Sequence, residues 1–330
     1  MQFPKKQKRG FDTFKDTSKI AEINGDFPLD SNQRKQYIQF GLTQIADHLS
    51  RRVFTETYCT DQIPTFLQAK LMHCISPLRL YTDCLMRDVI AAYCPSTVIV
   101  LDLGCGKGNY STFFDRAGCR GLYLGLDAVS NSLWRSWLKQ SPTALQRAFV
   151  RVEAETLPFH RPSINFAISS CALEHFSDDV MAIENLSKIM QPGTYSLHLV
   201  PSVWALFLYI YHGYRRYSPA ALLEMFQNAG FEIVELWALG GIPSFLLHYV
   251  WITWFETGLM WEIPTLGSSP SGLQNILSKL KIGPRVRQGA CFVAVYNRLL
   301  RLCLNLDQYL PFLPSGYAIL VRKSAGCTNE

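Results

Sequence analysis

Apolar positions along this chain follow two rhythms, and the change between them divides it. From residue 34 to residue 93 they return at three- and four-residue steps, and Ile38, Leu42, Ile45, Leu49 and Val53 line one side of a predicted helix. Phe66, Met72, Leu78, Leu85 and Val89 continue a looser pattern, interrupted at Pro64 and Pro77. Beyond Val98 the apolar positions come in short continuous runs, each followed by a helical stretch. Val98–Leu103, Gly121–Leu126, Phe149–Glu153, Ile164–Ser169, Tyr195–Val200 and Phe231–Leu239 read as strands, with Tyr317–Arg322 as the last. Such runs suit strands buried on both faces. Helices are predicted at Tyr110–Ala117, at Ser130–Leu138, at Val180–Met190 (stopped by Pro192-Gly193), and from Ser218 to Ala229. The last is the best delimited: Ser218 is a good cap, Pro219 suits the first helical position, and Gly230 closes it.

Strands alternating with helices predict an α/β fold, a doubly wound, seven-stranded, mostly parallel sheet of Rossmann-like type. The expected divisions are a flexible basic tail (1–33), a helical N-terminal layer (34–93), a ligand-binding core (94–240), a helical apolar insertion or lid (241–316), and the last strand with its tail (317–330).

Composition sharpens this. Apolar residues make up 48% of the 330-residue chain and charged residues 18%, below the usual quarter. A sizeable core is expected, with apolar surface left over. Part of the +6 net charge sits in the tail, at Lys5, Lys6, Lys8, Arg9, Lys15 and Lys19. No basic stripe interleaved with aromatics appears elsewhere, so nucleic acid is not an expected partner. None of the ten cysteines forms a C-x-x-C pair, so no metal site is expected and the scatter suits reduced thiols. The N-terminus lacks the apolar core of a signal peptide, and the expected location is cytoplasmic.

Residues 189–214 and 236–255 contain no Asp, Glu, Lys or Arg, and five of the seven tryptophans fall within 204–261. Pro201, Gly240, Gly241 and Pro243 interrupt these stretches too soon for a membrane span. Three readings stay open: a lid over the acceptor, a peripheral contact through 203–261 with the inner face of a membrane, or an ordinary buried insertion.

The chemistry begins at Asp102-Leu103-Gly104-Cys105-Gly106-Lys107-Gly108. A dinucleotide loop needs G-x-G-x-x-G, and that spacing fails here because position 109 is Asn. A carboxylate at Asp102 suits a cationic ligand better than a diphosphate. Further acids follow at the predicted strand ends, in Gly125-Leu126-Asp127-Ala128 and Val152-Glu153-Ala154-Glu155-Thr156-Leu157-Pro158-Phe159. Then come Ser169-Ser170-Cys171-Ala172-Leu173-Glu174-His175-Phe176, Ile189-Met190-Gln191-Pro192-Gly193-Thr194, and Tyr217-Ser218-Pro219 with Ala229-Gly230-Phe231.

This ordered set resembles the class I methyltransferases that use S-adenosylmethionine (SAM), and is closest to their type 11 subgroup. The resemblance covers roughly Thr97 to Leu239 and the final strand. It implies SAM as cofactor. Asp102, Leu103, Gly104, Gly106 and Gly108 would hold its methionine end, Asp127 and Ala128 its ribose, and Glu153 and Ala154 its adenine, with Ser170 beyond the fourth strand. Three positions depart from the family: Glu153 stands where aspartate is commoner, Thr194 replaces a second glycine, and Lys107 replaces a threonine or small residue.

His175 is the candidate catalytic residue, as a general base or to position the acceptor. Lys107 is expected to face solvent. His212-Gly213-Tyr214-Arg215-Arg216-Tyr217 is a candidate contact for a phosphate or sugar acid. The expected activity is methyl transfer to a small-molecule, glycan or lipid-linked acceptor. The alternatives are a SAM-binding accessory protein without turnover, or methylation of protein or nucleic acid.

Overall fold

The computed structural model describes residues 23–51, 53–60, 63–68, 71, 74–139, 144–157, 163–251 and 290–325. Its chain begins, after an N-terminal segment, with helix α1 (Ser31–Ser50). There follow strand β1 (Glu56–Tyr58), helices α2 (Thr65–Gln68) and α3 (Pro77–Tyr93), then β2 (Thr97–Leu103), α4 (Ser111–Arg116) and β3 (Arg120–Asp127). Next come α5 (Leu133–Leu138), β4 (Leu145–Arg151), β5 (Ile164–Ser170), α6 (Asp179–Ile189), β6 (Met190–Pro201) and α7 (Pro219–Asn228). The described chain closes with β7 (Phe231–Leu239), α8 (Ile242–Leu247), α9 (Ala290–Asp307) and β8 (Gly316–Lys323).

The strands form one sheet in the order β1-β7-β8-β6-β5-β2-β3-β4. All neighbours are parallel except β8, which runs antiparallel to both β6 and β7. Helices cover both faces. On one, Leu85, Met86 and Val89 of α3, Phe114 of α4 and Tyr296 and Leu300 of α9 pack on Val98, Val100, Tyr123, Phe166 and Leu197. On the other, Ile183 and Leu186 of α6 and Leu222 and Phe226 of α7 pack on Leu101, Leu103, Ala167 and Ile319. Burying each such side chain stabilises the fold by about 1.5–3 kcal/mol.

The doubly wound sheet matches the sequence reading, but among the described residues it has eight strands, not seven. The extra strand, β1, has three residues and pairs with the edge of β7. β4 begins at Leu145 rather than Phe149; as an edge strand it carries an exposed Gln146 and a half-buried Arg147, so no continuous apolar run marks its start. Pro192-Gly193 does not end an element. It lies inside β6, where the pairing with β5 skips from Ile164↔Met190 to Phe166↔Tyr195.

α1 forms where its periodicity predicts, but on a different face. Ile38, Leu42 and Leu49 are exposed, and the buried line is Tyr37, Gly41 and Ile45. A Cβ on Gly41 would come within 2.7 Å of Leu206 Cδ2, so the missing side chain sets the contact. The helix starts at a capping box between Asp30 and Gln33. The flexible tail expected over 1–33 falls partly outside the described residues, and its described part is packed: Ile23 is buried and Gly25 donates to the Gly213 carbonyl at 2.8 Å.

α9 is tied to the core at its last residue. Asp307 accepts from Tyr81 Oη at 2.6 Å, from Ser244 N at 3.0 Å and from Ser244 Oγ. Residues 252–289 of the expected insertion, including Trp254 and Trp261, lie outside the described residues. Among the other tryptophans of 204–261, Trp204 packs edge-on against His48, and Trp251 packs tilted against Phe292 and Tyr296. No described helix is long and apolar enough to cross a membrane. The described cysteines are thiols, not disulfides.

Candidate active site

β2 is flanked by β3 and β5, and the strand order reverses there. The carboxyl ends of β2 and β5 therefore open a crevice, the usual ligand position in open α/β sheets. The glycine loop leaves β2 into this crevice. Gly104, Gly106 and Gly108 all have positive φ (70°, 52° and 74°), a region other residues enter at a cost. A Cβ on Gly104 would lie 2.4 Å from that of Ala172, whereas one on Gly106 would meet nothing within 4 Å. The loop is thus closed on the β5 side and open above Gly106.

Two indoles hold the loop from outside. Trp134 Nε1 donates to the Gly106 carbonyl and Trp137 Nε1 to that of Lys107, both at 2.8 Å. Trp134 also stacks on Phe149 at 5.4 Å. Lys107 is exposed, as expected.

Asp102 is buried at the end of β2 and accepts a hydrogen bond from the Tyr123 hydroxyl. Burial pushes its pKa up to about 7; the Asp127 charge adds to this, and the Tyr123 hydroxyl and the Arg79 guanidinium oppose it. The site therefore contains a carboxyl group short of a cation. Asp127, half-buried at the end of β3, accepts from Gly106 N at 2.8 Å and Val129 N at 2.9 Å. Its own carbonyl accepts from Val152 N at 3.0 Å and so ties β3 to the segment carrying Glu153 and Ala154. Glu153 is exposed, Ala154 buried, and Ala128 exposed beside Asp127. Leu103 is core. Pro158 and Phe159 lie outside the described residues.

These features fit SAM. A backbone cradle without side chains, a buried carboxyl lacking a cation and a second carboxylate on the next strand offer complements to an aminoacyl sulfonium and a ribose.

The sequence reading missed a polar cluster at the start of α3. Arg79 Nε lies 3.3 Å from Asp83 Oδ1, and Tyr110 Oη bonds to Asp83 at 3.2 Å and to Ser170 Oγ at 2.9 Å. Through this link Ser170 joins the glycine loop to the end of β5.

His175 lies on the same edge but in a separate group. Its Nδ1 is 2.7 Å from Asp26 Oδ2, and its Nε2 is 3.9 Å from the Oε1 of the buried Glu174. His212 Nδ1 is 3.1 Å from the other oxygen of Asp26. Burial lowers the His175 pKa, but the bond to Asp26 and the charges of Glu174 and Asp26 outweigh it, and the net shift is upward. An imidazole flanked by two carboxylates is held toward its charged form, which has no lone pair free to accept a proton.

The 212–217 segment does not offer free cations. Arg215 pairs with Asp179 and donates to the Ser177 carbonyl, while Arg216 is buried and donates to the carbonyls of His212, Arg215 and Tyr209. Both guanidiniums are thus engaged in holding the turn.

Residues 78–236 match the family model described as a methyltransferase domain. The ubiquinone/menaquinone biosynthesis C-methyltransferase UbiE of Vibrio campbellii is 27% identical over 179 residues, spanning 44% of this chain and 69% of the relative. The demethylmenaquinone methyltransferase of Oceanobacillus iheyensis is 27% identical over 176 residues, spanning 44% of this chain and 74% of the relative. Among solved structures, the S-adenosylmethionine dependent methyltransferase from Mesorhizobium loti aligns with a TM-score of 0.40 at 14% identity, covering 71% of this chain and 96% of that one.

Proposed function

We propose that this chain, whose residues 78–236 match a methyltransferase-domain model, is a class I enzyme that transfers a methyl group from SAM to a small-molecule, glycan or lipid-linked acceptor. SAM supplies a methyl already activated on a cationic sulfur, so the protein's task is alignment and exclusion of water.

The observation that carries the reading is the pair of carboxyl groups, Asp102 and Asp127, on either side of a glycine loop that is open above Gly106. Asp102 would face the cationic methionine end and the loop amides its carboxylate. Asp127, with Ala128, would take the ribose hydroxyls, and Glu153 with Ala154 the adenine. Ser170, held by Tyr110, would border the sulfonium. His175, with both ring nitrogens beside carboxylates, would position the acceptor rather than take its proton.

Two observations favour a lipid-linked acceptor. The named relatives act in ubiquinone and menaquinone biosynthesis. The edge formed by α8, α9 and the turn after α9 leaves Leu246, Val250, Leu302 and Phe312 exposed, an apolar face of the kind that meets a membrane or a hydrophobic substrate.

The test is transfer of tritiated methyl from SAM into an extract separated into lipid, small-molecule glycan, protein and nucleic-acid pools. Label is expected in the lipid or small-molecule pool. Label confined to protein or nucleic acid, or tight SAM binding with no label anywhere, would overturn the reading in favour of a macromolecular acceptor or an accessory role.

A further inference from the structure

Asp26, His175 and His212 come from segments far apart in the chain, yet their ligand atoms all lie within 4.8 Å of one another. Close backbone approach builds this cluster. A Cβ on Gly25 would fall 2.4 Å from His212 N, and one on Gly213 (φ 60°) would fall 2.5 Å from the Glu174 carbonyl oxygen. Gly213 N donates to Asp26 Oδ1 at 3.1 Å, Tyr37 Oη donates to the His212 carbonyl at 2.7 Å, and Tyr214 N donates to the Glu174 carbonyl at 2.6 Å. The two imidazoles meet edge to face at 4.6 Å between centroids.

A second observation points to a ligand. Glu174 is 1% exposed, and its Oε2 has no hydrogen-bond partner. Its other oxygen stands behind His175, 3.9 Å from Nε2. A histidine that binds a metal through one nitrogen commonly has a carboxylate behind the other, which fixes the ring and raises its basicity. The neighbouring cation, Arg216, is committed to three carbonyls.

We propose that Asp26, His175 and His212 form a binding site for a divalent transition-metal ion, with Glu174 as the carboxylate supporting His175. Two imidazoles and a carboxylate suit zinc, manganese, iron or cobalt, whereas magnesium and calcium favour all-oxygen sets. Metal–ligand bonds near 2.0–2.1 Å put tetrahedral donor atoms about 3.3 Å apart. The bonds of 2.7 and 3.1 Å to Asp26 would therefore open by a few tenths of an ångström as the ion replaces the shared protons. Three protein ligands leave at least one position open beside the carboxyl end of β5. Only the role of that position, drawing an oxygen-bearing acceptor toward the methyl donor, rests on the methyltransferase reading.

The test is titration of untagged, chelator-stripped protein with Co²⁺, read by visible absorption, and with Zn²⁺, read by calorimetry, both without SAM or acceptor. One equivalent is expected, with a cobalt band showing nitrogen and oxygen ligation. Asp26→Asn and His212→Gln should each weaken binding at least 10-fold while melting like the parent, and Glu174→Gln should weaken it by about 10–100-fold. Cys94→Ser should leave binding intact, although Cys94 and Cys119 place their sulfurs 3.7 Å apart. No cobalt band in folded protein, unchanged affinity in both Asp26→Asn and His212→Gln, or loss of binding in Cys94→Ser would overturn the proposal. A failed metal titration would leave methyl transfer standing, and absent methyl transfer would leave the metal site standing.

Discussion

The Tyr123 hydroxyl donates to the Asp102 carboxylate across the β2–β3 ladder, at a point where both side chains are buried. With the Asp102 pKa raised by burial from 3.8 to about 7, the protonated form supports the folded state. That support is complete below pH 4 and is lost as pH rises through about 7. A cationic ligand reverses the preference. SAM affinity is expected to increase from pH 6 to pH 8, with proton release on binding, measured by calorimetry in buffers of different ionisation heat. Asp102→Asn should bind at least 10-fold more weakly, with a flat profile.

Gly104 and Gly118 share a positive φ, 70° and 74°, but differ in surroundings. Gly118→Ala should lower unfolding free energy by about 1–2 kcal/mol, the cost of a left-handed residue alone, because its Cβ would meet nothing within 4 Å. Gly104→Ala adds the clash with Ala172 and should cost a further 1–3 kcal/mol or so. It should also weaken SAM binding at least 10-fold, which Gly118→Ala should not. Urea unfolding and calorimetry of the pair check both differences.

Asp307 joins α9 to α3 and α8 through Tyr81 and Ser244. Each hydrogen bond to a buried carboxylate contributes about 1.5–3 kcal/mol. Asp307→Ala should therefore reduce stability by roughly 3 kcal/mol or more. Amide exchange should rise first in α9, before the sheet opens.

The exposed apolar edge can be tested directly. Flotation with anionic liposomes at low salt should carry the protein, and Leu302→Glu with Phe312→Glu should abolish it while leaving SAM affinity unchanged. Failure of the parent protein to float would remove the membrane contact and leave a substrate lid or partner surface.

How far the chain could be read depended on whether local sequence decided the outcome. β2 and β3 were legible because central parallel strands must be apolar throughout, and α7 because Ser218-Pro219 and Gly230 punctuate it. The glycine loop was legible because its three positive-φ positions leave glycine in the sequence. β1 was not, since three residues cannot show an alternation. The apolar stripe on α1 named the wrong face, because Leu206 seats on Gly41, a position with no hydrophobicity to count. The two indoles behind the loop carry no local signal of the carbonyls they reach. Asp26 stands 149 residues from His175, in a stretch read as tail, and only the tertiary fold unites them.

The place of β8 sets an order for assembly. Among the described strands, β7 pairs only with β8 and β1, and β1 only with β7. Residues 316–323 leave the ribosome after the seven other described strands, so this two-stranded pair can join the sheet only when they are released. Until then β6 presents an unpaired edge. A nascent chain cut before residue 316 would keep the glycine loop on its own half of the sheet and yet expose a sticky border, a natural target for chaperones.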